Sequence, residues 1–308
     1  MKYEKSPLSY EQQAELIISR GMIVDDKAAL IKILSSVSYY RLSAYWYPFR
    51  NPDDTFKANT RFQTAWRRYT FDRQLRLLVI DAVERLEIAI KTKMINSFSL
   101  KYGPFGYLNV KNFDGFDLGE HDRFLGEIRH NVQRSRENFV EHFKRKYNEH
   151  QDLPIWMAAE LMTFGNMLTM FRHLEYHLKK QIANDFGISA KVLESWLKTI
   201  NYIRNICAHH ARLWNRELAI KPVIPERQMC WREPVAVDNN RLFGLLTVLK
   251  YMLRFCAPNS RWQERLTDLF SEYEDISLVF MGFPENWQKC PIWQTPDEKE
   301  PCKDIQSF

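Results

Sequence analysis

Residues 189–218, SAKVLESWLKTINYIRNICAHHARLWNREL, constrain the fold more tightly than any other stretch. Leu193, Trp196, Ile200, Ile203, Cys207, His210 and Trp214 recur in alternating steps of three and four, the spacing of a buried helical stripe. Ser189 can cap the start of this helix, and Gly187 can stop the one before it. At ~100° per residue, Asn205, His209, Arg212 and Arg216 fall on a second stripe, with Arg204 beside it. The adjacent histidines therefore part. His210 shares the apolar stripe and reads as a packed histidine. His209 stands among Asn and Arg, where an imidazole beside guanidinium groups is equipment for acting on a phosphodiester.

Helical periodicity continues elsewhere, and the pattern predicts an all-α chain. Ser9 with Gln12 forms a capping box ahead of a first helix closed by Gly21, and Asp25 or Asp26 starts a second. Residues 39–49 hold six aromatics in eleven positions. Such a bunch packs into a core more often than it stacks on unpaired bases, though both remain open. After a turn-rich linker at 51–59, residues 60–100 read as one long helix with Leu75, Leu78, Ala82, Leu86, Ala89 and Lys93 on a face. The glycines between 103 and 119 mark a loop or insertion, followed by one charged helix over 120–150 whose four histidines read as surface groups. Pro154 opens a core segment, Asp238 an apolar helix stopped by Pro258, and Ser260 with Gln263 a last one. The expected division is an N-terminal helical segment over 1–59, a helical domain over 60–272 with an insertion at about 101–150, and an irregular acidic tail over 273–308.

An Arg followed by a His within one or two turns also occurs at Arg136/His142 and Arg145/His150, so spacing alone is weak. The company is stronger: RNICAHHARLWNR joins Arg204 to Asn205, pairs His209 with His210, and adds a second Asn-Arg pair. This segment resembles the signature of the bacterial Abi-like abortive-infection proteins (AbiD and AbiF type), a branch of the HEPN superfamily of helical RNases. Three further stretches match that family's pattern in order: YYRLSAYWYPF at 39–49, FDRQLRLLVIDAVERLEIAIKT at 71–92 and PIWMAAELMTFGNM at 154–167.

The resemblance implies a HEPN-like helical bundle and phage defence through metal-independent RNA cleavage, leaving a 2′,3′-cyclic phosphate and a 5′-OH. It places Arg204, Asn205, His209 and His210 in the catalytic motif. It also implies a homodimer, because one Arg and one His supply half of an acid–base pair and such sites are formed by two facing copies. Glu84 or Glu87 would then hold Arg204; read without the family, either acid is a surface charge. Arg212, Arg216, Arg73 and Arg76 are the cations expected to contact RNA, as substrate or as a small regulatory non-coding RNA. The rival reading is a non-catalytic RNA-binding module that grips phosphates without turnover.

Charge fits a polyanion partner. Residues 61–101 carry nine basic and four acidic side chains and residues 191–232 eight against three, while 272–304 reverse the balance with eight acidic against three basic. Five cysteines without a C-x-x-C pair point to free thiols, and the absence of a long apolar run points to a cytoplasmic protein that does not span a membrane. No cofactor is expected. A metal set of Cys207, His209, His210 and Cys230 lacks recurring ligand spacing, so no metal is expected either.

Overall fold

The computed structural model describes residue 2 and residues 6–294. Among the described residues it contains twelve α-helices and no strand beyond two isolated bridges, so the chain is all-α as its periodicity predicts. No described helix is long and apolar enough to cross a membrane. The chain divides into two compact units, Met1–Leu77 with Arg265–Ile276, and Leu78–Glu264 with Ser277–Phe308. The division differs from the expected one at 59/60, because the long helix runs from one unit into the other.

In the first unit, Tyr10–Ser19 (α1) begins at the Ser9/Gln12 capping box, and Lys27–Ser36 (α2) begins where Asp26 accepts from the Ala29 N–H. The two helices pack together, with Ala14, Ile17, Leu30 and Leu34 buried. Ser38 caps Tyr39–Trp46 (α3). The aromatic bunch splits here: Tyr45 and Trp46 are buried, while Tyr40 and Tyr47 are exposed. Phe62–Tyr102 (α4) follows as one helix of 41 residues.

Along α4, Phe71, Leu75, Val79, Ala82, Leu86, Ile90, Met94 and Phe98 are buried in steps of three and four. Each of these side chains except Ala82 contributes ~1.5–3 kcal/mol on leaving water, before chain entropy is counted, which is why this helix persists along its length. Lys93, expected on the apolar face, instead reaches out to Asp185 at 2.6 Å.

The second unit holds the rest of α4 and the helices that surround the focal segment. The charged stretch forms two helices, Leu118–Arg134 (α5) and Asn138–Lys146 (α6), in place of one. His121 departs from the expected surface set. It is buried, with Nε2 2.9 Å from the Tyr107 carbonyl. After the short Ile155–Ala158 (α7), Thr163 and Asn166 form a capping box that starts Phe164–His173 (α8), and Asn166 also donates to Glu127 of α5 at 2.5 Å. Tyr176–Asn184 (α9) ends before Gly187, whose φ of +61° is a left-handed stop that an L side chain adopts at a cost.

Ala190–Ala208 (α10) then packs on α8, α9 and Leu242–Cys256 (α11). Trp262–Glu272 (α12) is the last helix. The segment expected to begin an irregular tail is in part core: Met281, Phe283, Cys290, Ile292 and Trp293 are buried, and Trp293 donates to Thr247 of α11 at 2.9 Å. The rest of the expected acidic tail lies outside the described residues. Cys207, Cys256 and Cys290 are free thiols, whereas Cys230 is disulfide-bonded, so the expectation of five free thiols holds for these three.

Candidate active site at the end of helix α10

Ser189 caps α10 by accepting from the Val192 N–H, and Leu193, Trp196, Ile200, Ile203 and Cys207 are buried as their spacing predicts. Trp196 fixes the helix laterally: its ring meets those of Trp231 and Tyr251 at 5.4 and 5.6 Å, and its Nε1 donates to the Val223 carbonyl at 2.8 Å. The Ser195 hydroxyl accepts from the Val223 N–H at 2.9 Å. The chain that leaves the helix is therefore tied back along it.

The helix stops at Ala208, ten residues short of the expected 218, and this is the main correction. His209 is the C-cap, with its N–H donating to Asn205 O at 3.0 Å. The His210 N–H donates to Cys207 O and the Ala211 N–H to Ile206 O, both at 3.0 Å. This crossed pair is a Schellman closure, and His210 holds the left-handed position with φ +55°. Glycine is the usual occupant there. Histidine is one of the few other side chains enriched at positive φ, which is why no helix-stop signal stands in the sequence.

Ending the helix at 208 changes the environment of both histidines. His210 is not on the buried stripe; it is exposed, as is His209. Asn205 is exposed and Arg204 half-buried. The side chains of Arg204, Asn205 and His209 make no hydrogen bond or ion pair within 4 Å among the described residues. Arg204 does feel Glu87 of α4. Burial pushes the Glu87 carboxyl above its ordinary range, the charges of Lys91 and Arg204 oppose that, and Glu84 adds to it. Of the two expected acids, Glu87 is the one coupled to Arg204, and Glu84 is exposed.

The expected stripe through Arg212 and Arg216 does not exist as a helix face. Both lie on the returning loop, where Arg216 Nε donates to the Arg212 carbonyl at 2.8 Å, so its side chain curls back on its own backbone. Leu213 and Trp214 are buried, with Trp214 edge-on to Phe280 at 5.9 Å. Asn215 adopts φ +52°, and its Oδ1 accepts from Arg241 Nη1 at 2.9 Å; Arg241 also reaches Phe280 O at 3.1 Å. Sequence reading missed this clasp, for which the only local signal is Asn as a left-handed former.

The other two expected RNA contacts lie in the first unit. Arg73 is exposed on α4. Arg76 is not available: it is 6% exposed and ion-paired with Asp72, which is 0% exposed and accepts from the Tyr45 hydroxyl at 2.5 Å. Arg76 is thus corrected from an RNA contact to a buried structural cation. Its spacing of four from Asp72 on α4 signals an ion pair but not which way the pair faces. This cluster also bonds YYRLSAYWYPF to FDRQLR, while Thr163 and Asn166 of PIWMAAELMTFGNM start the helix on which α10 packs. Among the described residues no three His, Cys, Asp or Glu side chains group as a metal site would require.

The chain is therefore an all-α protein in which three motif stretches support structure and a fourth presents Arg204, Asn205, His209 and His210 at a helix end. It belongs to the family of Abi-like proteins, whose family model matches residues 32–215, spanning three of the four stretches whole and the fourth as far as the left-handed Asn215. No curated protein and no solved structure matches the chain significantly.

Proposed function

We propose that the protein acts in abortive-infection defence as a metal-independent endoribonuclease of the HEPN type, working in the cytoplasm as a homodimer. The observation that carries this reading is the exposed end of α10, where Arg204 and His209 stand without hydrogen-bonding or ion-pairing partners among the described residues and His210 is turned outward beside them. A cation left unneutralised by hydrogen bonds is suited to a phosphate. An adjacent exposed imidazole is suited to moving a proton near neutral pH.

In the proposed reaction the ribose 2′-OH attacks the neighbouring phosphorus. Its proton passes to an imidazole, the P–O5′ bond breaks, and the departing 5′-oxygen takes a proton from a second imidazole. The products are a 2′,3′-cyclic phosphate and a 5′-OH. His209 is the leading proton-transfer group, and Arg204 stabilises the charge on the non-bridging oxygens as the phosphorane forms. Asn205, one turn from His209, orients the imidazole or the phosphate. Two copies facing across a two-fold axis bring a second Arg204/His209 set to one phosphate.

The test is incubation of the purified protein with total RNA and identification of the product ends. Wild type yields cyclic phosphate ends in the presence of EDTA, and His209→Ala lowers cleavage ~10²–10⁴-fold with binding retained. Sedimentation reads the dimer. Binding without cleavage by any form, under phage challenge included, returns the protein to the class of non-catalytic RNA binders.

A further inference from the structure

Two side chains at positive φ bracket the turn that presents the motif. His210 at φ +55° closes α10, and Asn215 at φ +52° ends the stretch that follows. Neither is glycine, and such positions persist only where the surroundings over-determine them. The local sequence offers an alternative, because Ile203, Cys207, His210 and Trp214 share one helical period and a continued helix would carry His210 to the buried side. Contacts from elsewhere in the chain therefore hold the turn open.

Several of those contacts converge on residues 238–241, just ahead of α11. Arg241 Nη1 donates to Asn215 Oδ1 at 2.9 Å and to the Phe280 carbonyl at 3.1 Å. The Leu218 N–H donates to the Asn240 carbonyl at 2.8 Å, Lys221 Nζ to Asn240 Oδ1 at 2.6 Å, and Asn239 Nδ2 to the Pro222 carbonyl at 2.9 Å. The bracket is itself anchored. A side chain on Gly244 of α11 would run into the Asp238 carbonyl oxygen, and a methyl group on Gly282, at φ +83°, would stand 2.8 Å from Arg241 Cβ. The Arg241 stem thus lies against bare backbone. Arg241 is half-buried, makes no ion pair among the described residues, and joins two neutral oxygens from separate segments. Such a guanidinium fixes geometry.

From this we infer that Arg241 is a positioning residue for the α10 motif: by holding Asn215 it keeps the turn at His209 and His210 from winding on into helix, and so keeps both imidazoles outward beside Arg204. The inference rests on the cleavage reading of that motif, and it adds a side chain outside the motif that acts through the turn and not on the RNA. A displacement of ~1 Å in a proton-transfer group is enough to cost most of a rate.

The experiment follows the imidazole NMR signals of the full-length protein labelled at histidine, with RNA cleavage measured in parallel. Arg241→Ala should shift the His209 and His210 signals, leave those of the other histidines in place, and lower kcat ~10²-fold with KM little changed. Asn215→Gly keeps the left-handed backbone and deletes only the acceptor, so it should do the same, and it carries the test if Arg241→Ala does not fold. Tyr45→Phe, which weakens the first unit, should move neither signal. If the clasp variants lower the melting temperature but leave both signals and kcat at wild-type values, the positioning role is overturned and the nuclease reading stands. Movement of both signals in Tyr45→Phe as well would reduce the shift to general loosening and overturn it too. Wild type that cleaves no RNA, with both signals moved in the clasp variants, overturns the nuclease reading and supports the hold of Arg241 on the turn.

Discussion

Two arginines, each within reach of an acid on α4, end in opposite circumstances. Arg76 is buried, ion-paired to Asp72 and joined through it to Tyr45. Arg204 is half-exposed, feels Glu87 through space, and makes no hydrogen bond among the described residues. A buried charge has to be matched by its neighbours, because leaving it alone costs far more than the pair returns. An exposed one need not be, and its unsatisfied donors are what a ligand can use. The same side chain therefore serves structure in one place and is available for chemistry in the other, and neighbouring oxygens decide which.

The contrast can be broken first at Asp72. Asp72→Ala strands Arg76 in the core, and we expect a loss of ~3–5 kcal/mol, read from urea denaturation. A fall below 1 kcal/mol would mean the cluster is not structural. Tyr45→Phe removes only the hydroxyl that Asp72 accepts from, so the expected loss is ~1.5–3 kcal/mol in the same assay.

At the other region the sign reverses. His210→Gly relieves a left-handed L residue and should stabilise the protein by about 0.5–1 kcal/mol, while RNA cleavage drops if the imidazole takes part. A destabilised His210→Gly would show that the ring is held by packing and not merely tolerated.

The smallest effect concerns pH. Burial raises the Glu87 carboxyl above its ordinary range, so its contribution to stability is present below that range and is lost as pH rises through the raised value. Glu87→Gln should remove that loss. The difference between variant and wild type, compared by thermal melts at acidic and neutral pH, should shift in the variant's favour toward neutral pH. A difference that is flat with pH would place Glu87 in solvent.

Much of this was legible in local spacing. The capping box at Ser9 and the stripes of α4 and α10 follow from side-chain periods that any helix obeys, and the motif residues 204–210 stand out by their company. What failed did so at particular residues. His210 was placed on a buried stripe because nothing in CAHHARLW breaks a helix by propensity, and Arg76 was placed on the surface because its spacing from Asp72 does not say whether the pair faces in or out. The segment after 272 looked irregular although Trp293 and Ile292 are buried.

By itself the amino-acid order determined that the chain is helical, and it set Arg204, Asn205, His209 and His210 apart as the candidate site, since caps and periods act within a few turns. Tertiary structure decided that α10 ends at Ala208. Burial of Leu213 and Trp214 and the Arg241 clasp on Asn215 pull the following chain away, and the gain from those distant contacts outweighs the strain of a left-handed histidine. That turn is what exposes His210 beside His209, and no period of 3.6 residues contains it.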